Sequence, residues 1–207
     1  MIRICDILLS LLGLICLSPI FLIIAVLIKI NSKGPVFYRQ SRIGLDGIHF
    51  EIFKFRSMLL DSEKLGLITI GARDNRVTSV GYFLRRLKLD ELPQLINVLI
   101  GNMSLVGPRP EVKKYVDLYS FEQRQVLSIR PGITDWASIY YRDENRILEK
   151  SLDAEYDYIH IILPDKIKYN LIYINKRNLI EYLKIIFYTI WMIPFSMKKK
   201  LSEKKSK

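Results

Sequence analysis

Residues 7–28 run for 22 positions without a charge, from Ile7 to Ile28. A stretch that long and apolar is sufficient for a membrane helix. Two details complicate a simple crossing. Ser18-Pro19 stands near the middle, where a proline removes a helix hydrogen bond and bends the axis. Arg3 precedes the run and Lys29 and Lys33 follow it, so both ends favour the cytoplasmic side. A kinked single span and a helix–break–helix that enters and leaves one leaflet both satisfy these residues. A cleaved signal peptide fits less well, because no small-residue cleavage site precedes a polar chain.

The remainder of the 207 residues is enough for one domain with a modest core. A net charge of +11 points to anionic partners: phosphates, acidic lipids or nucleic acid. Cys5 and Cys16 would lie about 16 Å apart on a helix, too far for a disulfide. His49 and His160 stand alone, so no zinc spacing exists. No Gly-rich phosphate loop of the Walker or dinucleotide type exists either.

The chemistry concentrates in Leu87–Glu111, LKLDELPQLINVLIGNMSLVGPRPE. Asp90-Glu91 opens a short helix whose apolar face is Leu92, Leu95, Ile96 and Leu99. Asp90 fits the N-cap, Pro93 the first turn and Gly101 the stop. A helix start favours the ionised carboxylate, which can attack phosphorus or hold a divalent metal. Pro108-Arg109-Pro110 follows, and an arginine stiffened on both sides can present a fixed fork to phosphate. Plain capping and a plain rigid turn are the ordinary readings of these two features.

Around this block the elements alternate in type. Val36–Tyr38 and Phe50–Phe55, joined through Gly44–Gly47, read as a β-hairpin that puts Lys54 and Arg56 on one face. Leu60–Val77 reads as a loop. Val80, Phe83, Leu84 and Leu87 mark a helix, with Arg85, Arg86 and Lys88 off its apolar face. Glu111–Leu127 reads as a helix, Ile133–Tyr141 as an aromatic-rich strand, and Leu152–Leu163 and Asp165–Ile174 as helices divided by Pro164. Asn178–Phe195 has only a narrow polar stripe and carries Tyr182, Tyr188 and Trp191. With the six lysines of Met197–Lys207 it reads as an interfacial helix, ended by Pro194, and a basic tail for an anionic bilayer.

Taken together, these motifs resemble the small monotopic phosphoglycosyl transferases of the bacterial sugar transferase family. The resemblance covers nearly the whole chain. It rests on Arg3-x-x-Asp6, Ser18-Pro19, Gly34-Pro35-Val36-Phe37 and Phe53-Lys54-Phe55-Arg56-Ser57-Met58. Leu89–Leu95, Asn97-Val98-Leu99, Met103–Glu111 and Arg130–Thr134 complete it. It implies an α+β, mostly helical monotopic membrane protein. The parts would be a re-entrant helix over 1–30 broken at Ser18 and Pro19, a catalytic part over 34–175, an interfacial helix over 178–195 and a tail over 196–207.

The activity implied is transfer of a sugar 1-phosphate from a UDP-sugar to undecaprenyl phosphate. It would run through a phosphosugar–aspartyl intermediate and release UMP at the cytoplasmic face of the bacterial inner membrane. The resemblance implies Asp90 and Glu91 as catalytic and metal-binding residues, Mg²⁺ as cofactor, and Lys54, Arg56, Arg85 and Arg109 as substrate contacts. It implies no nucleic-acid partner. A non-catalytic membrane scaffold is the alternative reading. Asp135 and Ser138 stand where the family usually has Gly and Gln.

Overall fold

Pro19 does not end the first helix. In the computed structural model, which describes residues 1–60, 62 and 74–205, α1 runs unbroken over Ile2–Asn31. The expected break is a local substitution of donors. Pro19 cannot donate to the carbonyl four residues back, and the Ser18 hydroxyl donates to that carbonyl, of Ile15, at 2.8 Å. Most of the expected loop over Leu60–Val77 and the side chains of the basic tail lie outside the described residues.

Both ends of α1 meet the same body. Near its start, Arg3 donates to the carbonyls of Val98 (2.7 Å) and Leu99 (3.0 Å), and Asp6 is buried. Near its end, Ile24 and Ile28 pack with Phe55 and Leu84, and Asn31 Oδ1 accepts from the Val80 amide at 3.3 Å. The opposite face leaves Leu8, Leu12, Ile15, Leu22, Ile23 and Ile30 exposed.

β1 (Phe37–Ile43) and β2 (His49–Phe55) form the expected antiparallel hairpin, paired from Phe37↔Phe55 to Ile43↔His49. Its turn uses Asp46 and Gly47 at positive φ. α2 (Ser79–Leu87) starts at Thr78, whose side chain accepts from the Gly81 amide, and stops where Lys88 turns left-handed. α3 (Gln94–Ile100) ends at Gly101 with φ 100°.

The buried positions on α3 are Gln94, Asn97 and Val98; the expected leucine face lies beside α1, with Leu95 3.2 Å from where a Gly13 Cβ would stand. Asn97 ties α3 to β2. Its Oδ1 accepts from the Phe53 amide (2.9 Å) and its Nδ2 donates to Glu51 O (2.7 Å).

A second, parallel pair joins β3 (Ser104–Val106) to β4 (Gly132–Thr134). A Cβ on Gly132 would stand 2.1 Å from the Gly107 nitrogen, so the two backbones meet only because both residues lack one.

Four expectations need correction downstream. The helix over Glu111–Leu127 is only α4 (Lys113–Val116) plus a 3₁₀ segment, Gln123–Ser128. Ser120 accounts for the interruption: its amide donates to Gln123 Oε1 and its hydroxyl to Glu122 Oε2, a local turn that competes with the helix. The strand over Ile133–Tyr141 stops at Thr134, because Asp135 caps a new helix, α5 (Trp136–Tyr140), by accepting from the Ser138 amide.

Pro164 divides nothing: it sits in the first turn of α8 (Leu163–Asn175), which continues from α7 (Ala154–Asp157) through a π turn, Tyr158–Ile162. α6 covers Glu144–Leu148. α9 runs Leu179–Lys205, so its backbone stays helical past Pro194. A proline costs one hydrogen bond and a bend, and neighbouring turns can keep the helix going.

The largest core cluster joins α4, α6, α7 and α8 through Tyr115, Leu148, Tyr158, Ile162 and Ile167. A second ties α9 to β3 and the start of α1, through Tyr182, Ile185, Val106 and Ile2.

Candidate active site

Asp90 and Glu91 lie in a 3₁₀ turn, Leu89–Glu91, set off from α2 by the left-handed Lys88 and from α3 by Pro93. The turn changes the expected role of Asp90. It makes no side-chain cap bond, since Pro93 occupies the cap of α3, and its carboxylate is left over for other work. Asp90 is only 8% exposed, and its Oδ1 is buried with no hydrogen-bond partner among the described residues. Burial, and then the charge of Glu91, push its pKa up.

Glu91 is held in the opposite way. Arg109 forks onto both of its oxygens, Nη1 to Oε2 at 3.2 Å and Nη2 to Oε1. Lys54 Nζ donates to Oε1 at 3.4 Å. Burial would raise the Glu91 pKa, but Arg109 and Lys54 outweigh it and hold the group well below the usual carboxylate range. Glu91 in turn raises the pKa of Arg109. Burial draws Lys54 down to about 8, against the pull of Glu91. Adjacent carboxylates thus shift in opposite directions: Glu91 is held as an anion by Arg109 and Lys54, while Asp90 keeps one buried oxygen, Oδ1, without a partner among the described residues.

Backbone placement explains the fork. Arg109 lies between two prolines just after β3, and its amide donates to Asp135 Oδ2 at 3.3 Å. Asp135 is fully buried. Its two oxygens serve the Arg109 and Ser138 amides.

The structure brings Lys54, Arg85, Asp90, Glu91 and Arg109 to one cavity of about 500 Å³. Arg56 also borders it, but its guanidinium is committed elsewhere. Nη1 donates to Lys33 O at 2.6 Å, and Nη2 to Ser32 O at 2.8 Å and Ser32 Oγ at 3.0 Å. The expected phosphate contact is a clamp on the end of α1. Ser18 and Pro19 lie on α1 and do not border the cavity.

Sequence reasoning missed Arg42, Tyr115, Glu111, Glu144, Tyr158 and Lys166, which also line it. They come from six separate segments, and no spacing links them. Only the inward alternation along β1 could have flagged Arg42.

A divalent ion fits the donors present. Among the described residues no group of three or more His, Cys, Asp or Glu gathers. A metal here would take one or two carboxylates and complete its shell with phosphate oxygens and water, which is the habit of Mg²⁺. Asp90 Oδ1 is the oxygen in want of a partner.

A family model described as bacterial sugar transferase matches residues 1–196. The UDP-glucose:undecaprenyl-phosphate glucose-1-phosphate transferase of Klebsiella pneumoniae is 43% identical over 193 residues, covering 91% of this chain and 39% of that protein. The UDP-N-acetylgalactosamine-undecaprenyl-phosphate N-acetylgalactosaminephosphotransferase of Aeromonas hydrophila is 41% identical over 161 residues, covering 75% of this chain and 38% of that protein. The exopolysaccharide production protein ExoY of Sinorhizobium fredii is 34% identical over 200 residues, covering 89% and 81%. The chain therefore spans about two fifths of the length of the first two relatives.

Proposed function

The chain belongs to the bacterial sugar transferase family, and on that premise we propose that it transfers a sugar 1-phosphate from a UDP-sugar to undecaprenyl phosphate, releasing UMP. The observation that carries this reading is the split dyad: Glu91 tied to Arg109 and Lys54, Asp90 Oδ1 buried and unpartnered beside it. The Klebsiella and Aeromonas relatives bear the names of transferases of this kind with different sugars.

The step divides in two. An oxygen of ionised Asp90 attacks the phosphorus that carries the sugar. The bond from that phosphorus to the bridging oxygen breaks, and UMP departs with the oxygen and its electron pair. Asp90 is left as an acyl phosphate bearing the sugar. An oxygen of undecaprenyl phosphate then attacks the same phosphorus, the bond to Asp90 breaks, and the carboxylate returns. One carboxylate thereby serves a soluble and a lipid substrate in turn.

Glu91 has no proton to give in this scheme; it aligns Arg109 and Lys54, whose remaining N–H groups face the phosphates. Arg85 adds positive charge from α2. Mg²⁺, held by Asp90 and assisted by Glu91, would supply further charge neutralisation on the diphosphate.

The site belongs at the cytoplasmic surface of the membrane, and α1 is the means of keeping it there. We read α1 as re-entrant, bent at Pro19, with its apolar outer face in one leaflet. Support comes from the attachment of both its ends to one body, through Arg3 and through Asn31. The bare outer face of α9, including Ile180, Phe187 and Trp191, would lie at the same interface.

The test is release of UMP from a panel of UDP-sugars with undecaprenyl phosphate and Mg²⁺. Turnover of at least one sugar, abolished in Asp90→Asn, is expected. A chain that binds the membrane and partner enzymes equally well as Asp90→Asn, with no UMP formed by the wild type, would instead be a scaffold.

A further inference from the structure

The cavity around Asp90 has two walls of different character. From β2, α2 and the 3₁₀ turn come Lys54, Arg85, Lys88 and the dyad, joined by Arg109. That wall carries four cations and two carboxylates, and it suits a diphosphate. The other wall comes from later in the chain, from α4, α5, α6, the π turn and α8, together with Glu111. It contains two carboxylates with cations to match them.

Lys166 Nζ lies 2.9 Å from Glu144 Oε2 and 3.9 Å from Glu111 Oε1. Arg42 Nη1 lies 3.6 Å from Glu111 Oε2. The Tyr158 hydroxyl donates to Glu111 Oε1 at 2.7 Å. Arg142 borders the same wall, but its Nη1 donates to Met192 O.

A wall whose cations are engaged by Glu111, Glu144 and the Met192 carbonyl offers less to phosphate than the first. It is rich in fixed acceptors and donors, which suits a neutral ligand with many hydroxyls.

Two polar atoms on this wall lack partners among the described residues. Tyr115 is 4% exposed, packs at a tilt with its ring centroid 5.0 Å from that of Tyr158, and its hydroxyl is buried without a hydrogen bond among the described residues. The Ser138 hydroxyl is likewise buried and unpartnered, while the Ser138 amide is fixed by Asp135. Buried polar atoms are seldom left unsatisfied without a ligand or water to meet them. Asp135 also holds the Arg109 amide, so Ser138 is set at a fixed offset from the residue that aligns the dyad.

We propose that Ser138, Tyr115, Glu144 and Lys166 form the subsite for the sugar of the donor and decide which sugar is transferred. This rests on the reading of the site as a sugar-phosphate transferase. The attacked phosphorus bears the sugar directly, so the sugar must lie against a surface adjoining Asp90, and this wall is the one not shaped for phosphate. Glu144 accepts from sugar hydroxyls; Lys166 and the Ser138 hydroxyl donate to them.

The test uses the full chain in nanodiscs. Affinity for UMP and for UDP-glucose, UDP-galactose and UDP-N-acetylgalactosamine is measured by calorimetry, and UMP release is followed in parallel, for wild type, Ser138→Ala and Glu144→Gln. The expected result is a change of about tenfold or more in the ratio of affinities, or of kcat/KM, between two of the sugars, with UMP affinity held within about twofold. Equal loss across all three sugars, loss of UMP affinity in step, or no change would overturn the assignment.

Ser138→Ala removes a hydroxyl that bonds nothing among the described residues, so it decides the matter alone if Glu144→Gln melts early. Wild-type protein that binds the sugars selectively but never releases UMP would defeat the transferase reading, and the binding ratios would still judge the subsite.

Discussion

Asp90 and Glu91 are neighbours with the same chemistry and opposite electrostatic fates, and the difference lies in who faces them. Replacing Asp90 with Asn should lower transfer by about 10³-fold or more while UMP still binds. In the proposed reaction Asp90 attacks as the ionised carboxylate, and burial raises its pKa, so transfer should fall on acidification at a pH above the usual carboxylate range.

On the alkaline side Lys54 matters. It keeps its charge below about 8 and loses it as pH rises through that value, so activity should decline there. Lys54→Arg should carry that decline to higher pH, and a pH–rate profile of the two proteins checks it. Arg109→Lys keeps the charge but loses the two-pronged contact with Glu91, and a kcat loss of about tenfold or more is expected.

At the scale of elements, close approaches and side-chain stitches fix the site. Asn97 satisfies two backbone groups of β2 from α3; Asn97→Ala should cost about 2 kcal/mol by leaving both unpaired. Gly132→Ala drives a methyl into the Gly107 backbone and should cost about 3 kcal/mol. Thermal melts of the two variants read both effects.

These elements also show what the sequence could reveal. The hairpin, α2 and the Gly101 stop follow from local alternation, caps and turn residues, which act over a few positions. The Asp90–Arg109 block is read through its resemblance to the bacterial sugar transferases, since its acids and prolines taken alone fit a cap and a rigid turn. The parallel β3–β4 pair was hidden, since each strand has three residues and pairs across a long gap.

Arg56 and Arg109 were visible as cations, but not their partners. Arg56 is spent on the end of α1 and Arg109 on Glu91 because tertiary contacts, not neighbours in sequence, supply the oxygens. Asp135 was visible only as a departure from the family's usual Gly; it is a helix cap whose two oxygens accept from two amides.

The whole molecule is a catalytic body with one helix laid along it and another beside that helix's start. Asp6 joins the three: its Oδ1 accepts from Ser104 Oγ, the Leu105 amide and Tyr182 Oη at 2.8–2.9 Å. Movement of α1 or α9 is therefore tied to β3, which ends shortly before Arg109. With Cys5 and Cys16 replaced by serine, a cysteine placed ahead of Met1 and another at Lys33→Cys should both resist a membrane-impermeant thiol reagent added to intact spheroplasts. Both should react after lysis. Labelling of only one before lysis would make α1 a spanning helix.

The covalent step can be observed without the lipid. Purified chain is incubated with a UDP-sugar it turns over and Mg²⁺, with no polyprenyl phosphate present, quenched, digested and read by mass spectrometry. A sugar-phosphate adduct on the peptide containing Asp90, lost in Asp90→Asn and discharged by undecaprenyl phosphate, is the result expected. UMP formed without any adduct on Asp90, under conditions that preserve an acyl phosphate, would contradict it.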